Sequence, residues 1–164
     1  MRIYGITGWK NAGKTLMVER LLAQMGARGL TVSTVKHAHH EADLDTPGRD
    51  SHRHRQAGAT EVLLISGARW ALMHELRGTP EPPLDQMLAR LSPVDLVLIE
   101  GYKSAAHPKL EVHRGAIGKP PLALENPTIR AVASDVAPAG LSVPLLPIDD
   151  PAAITDFILS EVGL

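Results

Sequence analysis

The chain has 164 residues, 44% of them hydrophobic and 21% charged, which are values typical of a globular protein able to bury a core without disulfides. Its 17 lysines and arginines balance 18 acidic residues and only 3% of the chain is aromatic, so no broad positive field or base-stacking surface points to nucleic acid. Because the chain contains no cysteine, disulfides, zinc–thiolate sites and thiol catalysis are excluded.

No segment of the chain predicts export or membrane insertion. The N-terminus, MRIYGITGWK, lacks the long apolar core of a signal peptide, and no run approaches the ~20 apolar residues that span a bilayer. We therefore expect one cytoplasmic domain over residues 1–164, without a nucleic-acid or membrane partner.

The first third of the chain predicts a β-α-β unit. A buried strand is expected at Arg2–Thr7, and Thr15–Ala27 carries apolar residues at helical spacing. The segment LTVSTVKH then predicts a second strand through Lys36, reached by a right-handed crossover and lying beside the loop that follows the first strand.

The middle of the chain is more irregular. Residues 38–58 are polar, rich in histidine and broken by Pro47 and Gly48, so we expect a long loop there. Two apolar runs around Gly67 predict a hairpin or paired strands. A short helix follows at Leu84–Leu91, and the apolar run DLVLIE predicts a buried strand that ends at Glu100.

The last third predicts three further strands, in PKLEVHR, TIRAVASD and VPLLPID, and a terminal helix at Pro151–Val162. Strands thus alternate with helices along the chain. This pattern indicates an α/β fold with a largely parallel β-sheet flanked by helices.

The segment GWKNAGKT matches the phosphate-binding pattern G-x-x-x-x-G-K-[ST] and joins a strand to a helix, as in P-loop NTPase folds. Its glycines let backbone N–H groups converge on phosphate oxygens, and the following helix adds its N-terminal N–H groups and dipole. Lys14 is suited to the β- and γ-phosphate oxygens, and the Thr15 hydroxyl to Mg²⁺. The predicted nucleotide contacts are Gly8, Trp9, Lys10, Asn11, Ala12, Gly13, Lys14 and Thr15.

Two acids are candidates for the magnesium site. Glu100 ends an apolar strand, where a carboxylate meets the phosphates at the carboxyl edge of a parallel sheet; the alternative is an ordinary solvated strand end. Asp45 begins DTPG, which resembles a GTPase switch motif but follows the polar HHEADL instead of a strand. Asp95 lies at the wrong end of its strand.

The identity of the base is less clearly encoded. The Asn-Lys-x-Asp sequence that many GTPases use for guanine is absent. Asp135 ends the late strand of VASD and could accept hydrogen bonds from a guanine edge. The alternative is that it caps a strand-to-loop junction.

Five of the eight histidines fall between the second strand and Gly58, in a stretch that also holds Lys36, Arg49, Arg53 and Arg55. We consider three roles for this segment, namely transition-metal ligation, a loop that binds an anion or a partner, and an ordinary solvated loop. Lys36 is the best single candidate, because a strand-end lysine there reaches a γ-phosphate or a second anionic ligand. The histidines are His37, His39, His40, His52 and His54.

Taken together, GWKNAGKT, VKHAHHEADLDTPGRDSHRHRQAGA, DLVLIEGYK and HPKLEVHR resemble the MobB family of molybdopterin-guanine dinucleotide biosynthesis adaptor proteins over nearly the whole chain. The resemblance implies a P-loop protein that binds GTP and Mg²⁺, forms a homodimer and is at most a weak GTPase. It also implies a partnership with a MobA-type guanylyltransferase, which attaches GMP to molybdopterin.

Carried over by residue, the resemblance implies that the stretch from Gly8 to Thr15 binds phosphates and that Glu100 lies near Mg²⁺. Asp45, Gly48, Asp50 and Ser51 match a second family motif. Relatives that reach across a dimer have a lysine immediately after the first glycine. Here Trp9 occupies that position and the lysine is Lys10.

Two other functions remain open at this stage. An ATP-dependent small-molecule kinase or ligase of the dethiobiotin synthetase type shares the phosphate loop and the sheet. A nickel-metallochaperone GTPase would account for the histidines, although such proteins use cysteines that this chain lacks. No catalytic residue is assigned.

Overall fold

The computed structural model describes residues 1–38 and 45–164, and these divide into two compact units. The larger unit comprises Met1–Ala38 and Ser92–Leu164, and the smaller unit lies within His39–Leu91. The expectation of a single domain over residues 1–164 stays a prediction. Each helix in the described part of the chain is too short or too polar to cross a bilayer.

The elements follow one another in the order β1 (Arg2–Thr7), α1 (Lys14–Ala27), β2 (Val32–Lys36), α2 (Asp50–Gln56), β3 (Glu61–Ile65), β4 (Trp70–His74), α3 (Leu84–Leu88), β5 (Leu96–Glu100), β6 (Lys109–His113), β7 (Ile129–Ser134), β8 (Leu145–Pro147) and α4 (Pro151–Val162). Two short 3₁₀ turns, Gly115–Ile117 and Leu122–Leu124, lie between β6 and β7.

The larger unit is built on a six-stranded parallel sheet with the order β2-β5-β1-β6-β7-β8. Ile6 and Lys36 both pair with Glu100, so β1, β2 and β5 end at the same edge of the sheet. Strand β5 is inserted between β1 and β2. The carboxyl edge nevertheless collects the residues that follow all three strands.

The core of this unit forms because its central strands are almost wholly apolar. Strand β5 buries the four residues before Glu100, as expected for a parallel strand covered on both faces. Helix α1 buries Leu21 and Met25, and helix α4, which packs against α1, buries Ile154 and Ile158. This packing fixes the start of α1 at the end of β1.

The smaller unit contains the β3–β4 hairpin, which confirms the predicted paired strands around Gly67. Residues 50–56 form helix α2, although we expected a loop throughout this segment. Asp50 in the first turn and Arg53, His54 and Arg55 in the last turn each complement the helix dipole. The sequence did not reveal α2 because the helix is polar and has no apolar periodicity.

Candidate functional site

The predicted phosphate loop connects β1 to α1. Gly8 has a φ of +145°, and a Cβ atom at this position would lie 2.3 Å from the carbonyl oxygen of Val112 in β6. Only glycine therefore lets the loop pass this close to the neighbouring strand. Gly13, with a φ of +92°, leads directly into α1 and leaves the first-turn N–H groups of the helix without a capping side chain.

The loop residues between the two glycines differ in burial and in backbone conformation. Ala12 is buried and its N–H donates to the carbonyl of Trp9 at 3.2 Å. Asn11 adopts a left-handed conformation with a φ of +65°. Trp9 is half-buried, whereas Lys10 and Asn11 are exposed. The side chain of Lys10 thus lies outside the loop that its backbone helps to form.

The ammonium group of Lys14 folds back over the loop and donates to the carbonyl oxygen of Trp9 at 2.9 Å. Partial burial lowers the pKa of Lys14, the charge of Glu100 opposes this shift, and the charges of Lys103 and Lys36 add to it. Lys14 is therefore held at the loop by a single backbone acceptor and lies within the electrostatic reach of two other lysines.

Thr15, Lys36 and Glu100 come together from α1, β2 and β5. The Thr15 hydroxyl donates to Glu100 Oε1 at 3.2 Å, and Lys36 Nζ lies 3.5 Å from Thr15 Oγ1 and 3.6 Å from Glu100 Oε1. The Glu100 side chain is only 13% exposed, compared with 60% for Lys36. A partly desolvated carboxylate thus faces one hydroxyl and one exposed cation.

This pair of oxygens fits a magnesium ion. Adjacent ligands of an octahedral Mg²⁺ with bonds of 2.0–2.1 Å are ~2.9 Å apart, close to the separation of the Thr15 and Glu100 oxygens. Mg²⁺ completes its shell with waters and phosphate oxygens, so two protein ligands suffice. Among residues 1–38 and 45–164, no group of three His, Asp or Glu side chains could hold a metal ion. His39 and His40 lie outside these residues.

Asp135 directly follows β7, on the opposite side of the phosphate loop from Glu100. Its carboxylate accepts from the Gly115 N–H at 2.9 Å and from Arg114 Nη1 at 3.4 Å. The Gly115 hydrogen bond is the main reason that the pKa of Asp135 is lowered. A Cβ atom built on Gly13 would lie 3.7 Å from Arg114 Nε, so Arg114, which donates to Asp135, also lies close to the loop.

Asp45, the second candidate metal ligand, belongs to the smaller unit. It accepts from the Ser51 hydroxyl at 2.8 Å and from Arg55 Nε at 3.3 Å, and Arg55 also donates to Glu75 at 2.7 Å. These contacts give Asp45 and Arg55 a structural role around α2. A magnesium contact by Asp45 stays a prediction, and Arg49 and Arg53 remain exposed beside this network.

Two polar residues of β6, Glu111 and His113, contribute to the site in a way that sequence reasoning missed. Glu111 is fully buried and accepts from the N–H groups of Leu122 and Ala123 at 2.8 and 2.9 Å. His113 lies 2.9 Å from the Ser134 hydroxyl and 3.2 Å from the Lys119 carbonyl. The signal was available in the sequence KLEVH, where polar residues interrupt a strand that is otherwise apolar.

Glu111 and His113 thereby hold the segment 118–123 next to the phosphate loop. The indole Nε1 of Trp9 donates to the Pro120 carbonyl at 2.9 Å, which joins the two segments. The ammonium groups of Lys103 and Lys119 lie 4.8 and 4.4 Å from the centroid of the Trp9 ring. Trp9 occupies the position where some relatives have a lysine, and here two lysine side chains from other loops lie close to its ring.

The chain matches the family described as "MobB: Molybdopterin guanine dinucleotide synthesis protein B" over residues 3–135. It is 37% identical to the molybdopterin-guanine dinucleotide biosynthesis adapter protein of Escherichia coli (strain K12), with 96% of this chain and 91% of that protein covered. It is 38% identical to the adapter protein of the same description from Haemophilus influenzae, with 95% and 86% covered.

Solved structures agree with these sequence matches. The crystal structure of Bacillus subtilis MobB superposes with a TM-score of 0.78 at 26% identity and covers 99% of this chain and 98% of that one. The largely parallel sheet flanked by helices is thus the P-loop NTPase-like fold of these structures, which confirms the predicted fold class.

Proposed function

Because the chain belongs to the molybdopterin guanine dinucleotide synthesis protein B (MobB) family, we propose that it is a GTP-binding adapter protein for the attachment of GMP to molybdopterin. Relatives that share 37% and 38% of its residues are named adapter proteins of molybdopterin-guanine dinucleotide biosynthesis. The observation that carries the nucleotide-binding proposal is the meeting of Thr15 with Glu100 at the first turn after the glycine loop. The partners proposed are molybdopterin and a MobA-type guanylyltransferase.

The triphosphate end of the nucleotide is assigned to the β5 side of the loop. Mg²⁺, when bound, neutralises phosphate charge there, and Thr15 and Glu100 are the residues suited to hold it. Lys14 is suited to exchange its hydrogen bond with the Trp9 carbonyl for a charge-assisted one with a phosphate oxygen. Lys36, more exposed, is suited to the γ-phosphate or to a second anionic ligand.

The base is assigned to the opposite side, towards β7. An open surface depression of about 330 Å³ lies there, lined by Ser134, Asp135 and Leu146 among other residues. The Asp135 carboxylate is a pure acceptor, and the N1–H and 2-amino groups of guanine are donors. Adenine lacks both of these donors. Guanine recognition requires Asp135 to share or exchange the hydrogen bonds that it accepts from Gly115 and Arg114.

We propose a homodimer, and the β3–β4 hairpin is the surface that supports it. Ile65 and Trp70 pair with each other at the end of the hairpin and are 70% and 67% exposed. Leu63 and Leu64 are also more than half exposed. An apolar patch of this kind is typical of an interface, and β-strands readily pair with a second copy.

We propose a role as an adapter that is at most a weak GTPase. Fast GTP hydrolysis needs a residue held within hydrogen-bond reach of the attacking water, and we assign no residue of the described chain to that task. The exposed Arg49 and Arg53 of the smaller unit suit an anionic partner. We propose that the protein acts in the cytoplasm.

Nucleotide competition tests this function. Unlabelled GTP is expected to displace a labelled GTP analogue in the presence of Mg²⁺ at concentrations far below those needed for ATP. Equal displacement by the two nucleotides would favour an ATP-dependent kinase or ligase. Retention of stoichiometric nickel through gel filtration would favour the metallochaperone instead.

A further inference from the structure

We propose that Lys103, whose ammonium group lies over the Trp9 ring, is a second phosphate-binding lysine that contacts the terminal phosphate of a bound nucleoside triphosphate. This inference rests on the proposed GTP-binding function and deepens it, because it names a residue that distinguishes a triphosphate from a diphosphate.

Lys103 lies beside the phosphate loop, close to Trp9. Its ammonium group lies 4.8 Å from the centroid of the Trp9 ring, while the backbone carbonyl of the same tryptophan accepts from Lys14 at 2.9 Å. One loop residue thus brings the two lysines together. The charge of Lys103 also acts on Lys14, since it contributes to the lowering of the Lys14 pKa.

The backbone of Lys103 is anchored just beyond the end of β5. It follows Glu100 by three residues, so it leaves the sheet at the edge where the magnesium and terminal phosphate are assigned. The Asn126 side-chain amide donates to its carbonyl at 3.0 Å, which fixes the backbone while the side chain stays exposed. The four-carbon stem of a lysine can then move between two acceptors.

The contact between Lys103 and the Trp9 ring is a cation–π contact, which a phosphate can replace. A cation–π contact at an exposed site is weak, and here Lys119 brings a second positive charge to 4.4 Å from the same ring centroid. A charge-assisted hydrogen bond to a phosphate is stronger. Lys119 itself starts from the other side of the loop, and its backbone is held by His113.

A matched pair of variants tests the assignment. The background carries Trp70→Phe, which keeps an apolar ring in the hairpin and leaves Trp9 as the single tryptophan of the two in the chain. Calorimetry then measures the affinity of a non-hydrolysable GTP analogue and of GDP, each with Mg²⁺. Lys103→Ala is compared with Lys119→Ala, and Lys103→Arg serves as the conservative variant.

We expect Lys103→Ala to weaken the triphosphate analogue ~10-fold or more and GDP less than ~3-fold, as for the loss of one charge-assisted hydrogen bond. Lys119→Ala should change both affinities less than ~3-fold, and Lys103→Arg should restore most of the discrimination. In the background protein the analogue should change the emission of Trp9 more than GDP does. Lys103→Ala should abolish that difference.

The outcomes separate this inference from the proposed function. If the background protein binds GTP but Lys103→Ala weakens the analogue and GDP equally, or weakens neither, the inference is overturned and GTP binding stands. If Lys119→Ala reproduces the selective loss, the assignment to Lys103 is wrong. If neither the parent protein nor the background protein binds a guanine nucleotide, the inference and the proposed function fall together.

Discussion

The hydroxyl of Thr15 and the carboxylate of Glu100, 85 residues apart in the chain, lie within 3.2 Å of each other. One belongs to the first turn of α1 and the other ends β5, so the contact exists only because β5 pairs with β1 in register. Lys36 lies 3.6 Å from the same carboxylate and gives it a cationic neighbour. Thr15, Glu100 and Lys36 therefore form one polar cluster at the carboxyl edge of the sheet.

Lys14→Ala is expected to weaken GTP binding at least ~100-fold, because the variant loses the one ammonium held at the centre of the loop. The fold should remain intact, since the half-buried side chain leaves no large cavity. Calorimetry measures the affinity and circular dichroism the fold. Lys10→Ala, at an exposed position of the same loop, is the control and should bind almost normally. A Lys14→Ala protein with native affinity would exclude the phosphate-loop assignment.

Glu100→Gln is expected to remove most of the magnesium dependence of GTP binding. The amide keeps an acceptor for the Thr15 hydroxyl but loses the negative charge that attracts the cation. The measurement is the ratio of GTP affinities with Mg²⁺ and with a chelator, which should fall towards one in the variant. Asp95→Asn, at the other end of β5, is a control for charge loss and should leave this ratio unchanged. A ratio that survives Glu100→Gln would place the metal ligand elsewhere.

Asp135→Asn is expected to reduce the preference for guanine over adenine ~10-fold or more, because the amide cannot accept both donors of the guanine edge. Its oxygen still accepts from the Gly115 N–H, so the loop between β6 and β7 should keep its structure. Xanthine offers a carbonyl where guanine has its amino group, and the amide of the variant can donate to it. Competition with GTP, ATP and XTP therefore provides the test. An unchanged order of the three would leave Asp135 as a strand-end cap.

Much of this site could be predicted because it depends on local rules. The glycine-lysine-threonine spacing defines the loop, and the ends of parallel strands meet at one edge, which placed Glu100 beside Thr15. The strand order could not be predicted, since the insertion of β5 between β1 and β2 depends on pairing between distant segments.

The sequence KLEVH shows that Glu111 interrupts an apolar strand, but the role of Glu111 was hidden for a different reason. Its partners are the backbone N–H groups of Leu122 and Ala123, and backbone donors carry no signature in the sequence. The interpretation of Trp9 was also incomplete. In the sequence it showed only that the lysine found after the first glycine in some relatives is missing here. In the structure two lysines from other loops approach its ring.

Ile65→Lys is expected to convert the proposed dimer into a monomer, because it places a charge in the exposed apolar patch of the hairpin. Light scattering after gel filtration measures the mass. GTP affinity should remain close to that of the parent, since the phosphate loop belongs to the larger unit. Glu61→Lys, on the polar end of the same strand, is the control for added charge. A parent protein that is monomeric at high concentration would contradict the proposal.

The last prediction concerns His107, which is buried against Gly5 of β1. A Cβ atom on Gly5 would lie 2.7 Å from His107 Nε2, and this nitrogen has no hydrogen-bond partner among the described residues. Burial, and to a smaller extent the charge of Lys109, lowers the pKa of His107 to about 4. In the unfolded chain a histidine has a pKa of ~6.5. The unfolded state therefore takes up the proton first as the pH falls.

It follows that the free energy of unfolding is unaffected by His107 above about pH 7 and decreases as the pH falls from ~6.5 towards ~4. Between pH 7.5 and pH 5 the expected loss is at most ~2 kcal/mol. Urea unfolding at the two pH values measures it, and His107→Gln should remove this part of the pH dependence even if the variant is less stable overall. His54→Gln, at an exposed histidine, is the matched control. If His107→Gln and the parent lose the same free energy between the two pH values, His107 is not buried in its neutral form.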